Sequence, residues 1–97
     1  MAVTVDHGYG ASEYQALAEL SRDGFEAKVA DYLPGRTEAH EHDYDICLHV
    51  LGGEFRVIEA ESGAVHACGP GAKLQVPAGT RHFEDHGAVR LVVGRRH

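Results

Sequence analysis

Ninety-seven residues carrying 15 Asp and Glu against 9 Lys and Arg give a formal charge of −6. That length predicts one domain with a modest core. The acidic balance, with no basic cluster beyond Arg95 and Arg96, excludes nucleic acid and anionic membrane as expected partners.

In chain order, Met1 to Gly10 has no basic region followed by an apolar stretch and is not read as a signal peptide. Val3 to Gly10 is a candidate edge-covering or exchanged strand. Ser12 to Arg22 is the one predicted helix. Ser12 with Gln15 three residues on is a capping-box signature, Tyr14, Leu17, Ala18 and Leu20 offer an apolar stripe, and Asp23-Gly24 stops it. From Phe25 the hydrophobic period changes to two. Strands are predicted over Phe25–Leu33, Ile46–Leu51, Glu54–Ala60, Ala64–Cys68, Lys73–Val76, His82–Asp85 and Ala88–Gly94. They are separated by turn signals such as Pro34-Gly35, Gly52-Gly53 and Pro77-Ala78-Gly79. Short strands at this spacing predict an all-β sandwich or barrel, with residues 1–24 as arm and helix, and 25–94 as the β-domain. No apolar run approaches the ~20 residues of a membrane span. Cys47 and Cys68 are too few for a disulfide framework and form no C-x-x-C, so reduced thiols in a cytoplasmic protein are expected.

Histidines carry the chemical signal. His40-Glu41-His42 follows a Pro-Gly turn, and residues two apart on a strand share a face, so the pair aims two imidazoles into one space. His82 ends the run Pro77-Ala78-Gly79-Thr80-Arg81-His82 and could add a third from a separate strand. Imidazole is the commonest protein ligand for first-row transition metals. On the parity of His42, Tyr44, Ile46, Leu48 and Val50 face inward, whereas Cys47 and His49 face away. Cys47 is expected under the helix or at a dimer contact, and His49 outward or interfacial. Phe55, Val57, Leu74, Val76, Phe83 and Leu91 or Val93 are candidate core. His86 is a candidate for the pocket mouth, and His7, His66 and His97 are read as solvated.

The linear arrangement from Phe25 to Gly94 resembles the cupin superfamily. Its second motif is a glycine, five residues, Pro-x-Gly, two residues, His, then commonly Asn four positions later. Gly71, Pro77, Gly79 and His82 match every spacing, and His86 stands where Asn is common. Its first motif is Gly, about five residues, His-x-His, three or four residues, Glu, six residues, Gly. Gly35 lies one residue closer than usual, His40 and His42 fit, and the turn at Gly53 fits. Ile46 occupies the usual Glu slot. Asp45 is the nearest carboxylate, of opposite parity, and could reach a metal only through a bulge that re-aims it.

The resemblance implies an RmlC-like jelly-roll β-barrel with one short N-terminal helix, assembled as a homodimer. It further implies one divalent transition metal (Fe, Mn, Ni, Cu or Zn) on His40, His42 and His82, with Asp45 as a candidate fourth ligand. A small organic molecule is expected in a pocket with Tyr44, Ile46, Phe55, Phe83 and His86. Two function classes follow: a metal-dependent enzyme, dioxygenase-like or isomerase-like, and a non-catalytic module that binds or senses a small ligand or metal. A metal-free epimerase-like reading is weaker. It needs an inward His paired with a carboxylate and a Tyr, which His42 or His82 with Tyr44 only loosely mimics. No basic residue is expected to face the site, which argues against a phosphorylated compound.

Overall fold

The computed structural model describes residues 2–97 and is built from two antiparallel sheets and one helix. The elements are β1 (Thr4–Asp6), α1 (Glu13–Arg22), β2 (Glu26–Tyr32), β3 (Gly35–Arg36), β4 (Asp45–Gly52), β5 (Phe55–Glu59), β6 (Val65–Cys68), β7 (Lys73–Val76), β8 (His82–His86) and β9 (Val89–Arg96). One sheet has the order β1-β7-β4-β9-β2 and the other β3-β8-β5-β6. The sheets face one another without closing into a continuous barrel, an arrangement compatible with the expected jelly roll. No helix is long and apolar enough to cross a membrane.

Period-two patterning sets the layers. Leu48 and Val50 on β4, Leu74 and Val76 on β7 and Val89 and Leu91 on β9 meet Phe55, Val57 and Cys68 from the opposite sheet. The alternate residues Cys47 and Val92 turn to the other face and pack with Ala16 and Leu20 of α1. The centre of the larger sheet is therefore buried on both sides, which is why β4 reads as a near-continuous apolar run. Gly94 lets the helix come this close: a Cβ there would lie 3.0 Å from Phe25 Cβ and 3.2 Å from Leu20 Cδ1.

The capping box at Ser12 and Gln15 is present, with both reciprocal bonds made. Ala16 and Leu20 form the buried stripe, and Tyr14, expected in it, is 80% exposed. The N-terminal segment does cover an edge, because β1 pairs with β7 of its own chain. His49 departs from expectation. It faces away from the inter-sheet core, yet Tyr9 lies edge-on to its ring and the residue is only 2% exposed.

Candidate metal centre

His40, His42 and His82 converge, each offering a ring nitrogen, with these atoms all within 4.8 Å of one another. The backbone brings them there. His40 N–H donates to the His82 carbonyl (2.8 Å) and His82 N–H returns the bond to the His40 carbonyl (2.9 Å). This isolated bridge ties the His-x-His segment, which is extended loop and not a full strand, to the start of β8. The His42 carbonyl accepts from Gly79 N–H at 2.8 Å. Gly79, at φ +78°, gives the Pro77–Thr80 turn the left-handed residue that a type II turn needs at its third position.

The ring tautomers are set as well. Nδ1 of His40 lies 2.7 Å from the Glu38 carbonyl, and Nδ1 of His82 lies 2.8 Å from the Thr80 carbonyl. A carbonyl only accepts, so in the neutral rings each Nδ1 carries the proton and each Nε2 keeps its lone pair. His82 is 1% exposed and its Nε2 has no hydrogen-bond partner. A packed interior avoids such an orphan, whereas a divalent cation requires a free lone pair.

A carboxylate borders the three histidines, and it is Glu84. Its Oε1 lies 3.4 Å from His82 Nε2 and 3.7 Å from His40 Nε2. The first approach is ion-pair distance without hydrogen-bond geometry, so the His82 nitrogen still counts as unbonded. Glu84 N–H donates to Thr37 Oγ1 at 2.9 Å, which steadies the strand beneath it. Burial would raise the Glu84 carboxyl, but the surrounding imidazoles outweigh burial and hold it below the usual carboxylate range. Burial likewise opposes the His82 imidazolium, and Glu84 with the Thr80 carbonyl overcomes it and raises that pKa. His42 is pushed down, first by burial and then by the neighbouring His40 and His82. Glu84 was legible by the rule that selected the histidines, because positions 82 and 84 share a face of β8.

Asp45 goes elsewhere. Its Oδ1 accepts from Ala78 N–H at 2.9 Å and its Oδ2 meets Arg96 at 3.2 Å. Those bonds, the Ala78 amide first, lower its pKa and leave it stapling the Pro77–Thr80 turn, away from the three imidazoles. No bulge re-aims it, since β4 and β9 are in regular register from Asp45 to Val50.

Between the sheets, beside the histidines, a cavity of about 290 Å³ is lined by Tyr44, Ile46, Phe55 and His86, all anticipated, together with Tyr32, Thr37, Leu48, Glu84, Leu91, Val93 and Arg95. His42 stacks on Tyr44 at 4.7 Å and His86 on Phe55 at 5.4 Å between ring centroids. Phe83 does not line it. Adjacent in sequence to the inward His82, it takes the outer face of its sheet, where the Arg36 guanidinium sits 4.9 Å over its ring. Arg95 corrects the expectation that no basic residue faces the site. His66 is not solvated but half-buried, with Nε2 2.7 Å from Glu59. His97 packs its ring 4.7 Å from Tyr44. A larger, more open hollow of about 690 Å³ lies along Tyr9 and the exposed side of α1, without any of the clustered histidines.

The architecture has clear relatives among solved structures. A DUF861 family protein from Thermotoga maritima superposes with a TM-score of 0.68 at 18% identity, covering 95% of this chain and 97% of that one. The polyketide cyclase RemF from Streptomyces resistomycificus gives 0.62 at 25% identity over 79% of this chain and 60% of that one. A cupin-2 domain containing protein from Shewanella frigidimarina gives 0.55 at 17% identity over 76% and 71%. The chain thus shares its fold with a cupin-2 domain protein. No protein-family model matches the sequence, and no curated protein sequence matches it.

Proposed function

We propose that this chain is a small metal-binding cupin that takes a small organic molecule into the cavity beside the metal. One observation carries the reading: the buried, unbonded His82 Nε2 faces two further imidazoles and the Glu84 carboxylate. Three neutral imidazoles and one carboxylate suit Fe, Mn, Ni, Cu or Zn as the divalent ion, and the donor types do not choose among them. Glu84 takes the place intended for Asp45, contributing one negative charge at a distance from which it can ligate the ion or accept from a bound water.

When bound, the ion supplies Lewis acidity toward an oxygen donor and, for a redox-active metal, electron transfer. The chain's own groups do the rest. The Glu38 and Thr80 carbonyls hold two imidazoles in the ligating tautomer. Ile46, Leu48, Leu91 and Val93 exclude water from one wall of the cavity, and Phe55 with His86 closes another. Glu84 is placed to accept a proton from a molecule bound beside His82. That arrangement supports a dioxygenase-like or isomerase-like enzyme. A binding or sensing module uses the same site without turnover, and the fold alone does not separate the two. A homodimer through an open sheet edge accompanies the reading, and a protein that sediments only as a monomer would remove it.

Elemental analysis of untagged protein, before and after dialysis, tests the central claim. Near-stoichiometric transition metal, lost in a His40→Ala/His82→Ala double variant, is expected. Absence of metal in both samples, with no uptake on titration, would overturn it. Turnover with diketones, thiols and hydroxy acids then separates enzyme from module.

A further inference from the structure

The chain is acidic, and most of its cations answer to carboxylates. Arg56 pairs with Asp85, Lys73 with Glu19, Arg90 with Glu13 and Asp31, and Arg96 with Asp45. Arg95 does not. No carboxylate lies within ion-pair distance of it among the described residues, not even Glu26, its cross-strand partner in the sheet. Its position follows from parity: Val89, Leu91 and Val93 face the interior of the sandwich, and Arg95 is the next residue on that face. It is an exposed residue at the mouth of the cavity beside the histidines, with its guanidinium 5.6 Å from the centroid of the Tyr44 ring. Tyr44 in turn stacks on His42. Cation, flat aromatic ring and imidazole stand in sequence along one wall, and the wall between the sheets is apolar.

We propose that Arg95 selects the ligand: the cavity takes a small monocarboxylate with a flat or branched apolar body, its carboxylate on Arg95 and its opposite end toward the three histidines. This rests on the cavity being the ligand site of the proposed function, but not on a metal being present. The volume of about 290 Å³ has room for on the order of ten water-sized groups, enough for a substituted benzoate. An arginine fork meets a carboxylate with two parallel hydrogen bonds. Tyr44, stacked against His42, adds cation–π attraction that holds the guanidinium in place. A neutral analogue of the same shape would leave the guanidinium with water alone.

Matched pairs test this: benzoate against benzamide, 4-hydroxybenzoate against 4-hydroxybenzamide, and 3-methylbutanoate against 3-methylbutanamide, titrated calorimetrically into metal-free and metal-loaded protein. The acid of each binding pair should bind about tenfold or more tightly than the amide. Arg95→Gln should erase that preference while metal stoichiometry stays unchanged. Arg81→Gln, which removes an exposed cation outside the cavity, should leave the preference intact. Equal affinity for acid and amide, a preference that survives Arg95→Gln, equal loss in both variants, or no saturable binding of any acid at millimolar concentration would overturn the assignment. Failure of metal uptake with the acid preference retained would instead strike the metal reading and leave Arg95 as the selector.

Discussion

Two histidines in this molecule are almost completely buried, His82 at 1% exposure and His49 at 2%, and each has a ring nitrogen without a hydrogen-bond partner. They lie on opposite sides of the larger sheet. His82 has Nδ1 fixed on the Thr80 carbonyl and Nε2 aimed at two imidazoles and a carboxylate. His49 has neither nitrogen bonded and lies under Tyr9, beside a Lys73–Glu19 ion pair. Burial raises the energy of a charged ring in both, but Glu84 reverses the effect at His82, while Lys73 adds to it at His49. An orphaned nitrogen marks a ligand site only where other donors converge on it. Where a lysine stands nearby instead, it marks packing.

The comparison breaks most sharply through a residue touching neither histidine. Leu20 is 1% exposed in the cluster under α1 with Cys47 and Val92. Leu20→Ala should cost about 2–5 kcal/mol of unfolding free energy, with metal affinity per folded molecule unchanged. Urea unfolding and a chelator-competition titration read the two effects separately. His82→Ala should do the reverse, lowering metal affinity about a hundredfold or more, equivalent to about 2.7 kcal/mol. Glu84→Gln keeps the shape and removes the charge, so a loss of about tenfold in metal affinity is expected from the same titration. An unchanged affinity in Glu84→Gln would reduce that carboxylate to a bystander.

The two faces also differ in how far the sequence discloses them. Period-two alternation, the His-x-His pair and the spacing from Gly71 to His82 were enough to predict most of the strands and the three histidines, though not the short β3 at Gly35–Arg36. The parity that put Cys47 opposite Leu48 correctly sends it under the helix. Applied two residues further, the same parity finds Glu84 from His82 and Arg95 from Val93. It also rejects Phe83 from the cavity, so all three placements follow from alternation alone. Asp45 is different in kind. Nothing local says whether a carboxylate at that position serves a metal or a turn amide; the answer depends on where Ala78 and Arg96 arrive in space. The burial of His49 was equally hidden, because the Tyr9 that covers it comes from an arm forty residues earlier. That the two sheets stay open was hidden too, since alternation looks the same in a barrel and in a sandwich.

The smallest expected effect bears most directly on the contrast between the two rings. His49→Leu removes two unpaired polar atoms from a buried site and puts an apolar group of similar size in their place. At neutral pH the change should be within about 1 kcal/mol and of stabilising sign. Its pH dependence is more telling. The His49 pKa is lowered in the folded protein, by burial first and Lys73 second. Unfolded chains therefore take up the proton near the ordinary histidine value of about 6.5, while the folded protein resists it. Stability that His49 permits above that value is lost as pH falls toward its folded pKa. At His82 the sign is opposite in metal-free protein: the raised pKa makes the folded state the better proton binder, a contribution present at low pH and lost as pH rises through the folded value. Urea unfolding of chelator-treated wild type and His49→Leu at pH 7.5 and 5.5 isolates the first slope. The variant's advantage should grow on acidification. An advantage that is the same at both values would mean that His49 titrates normally, and that Tyr9 and the helix do not seal it from water.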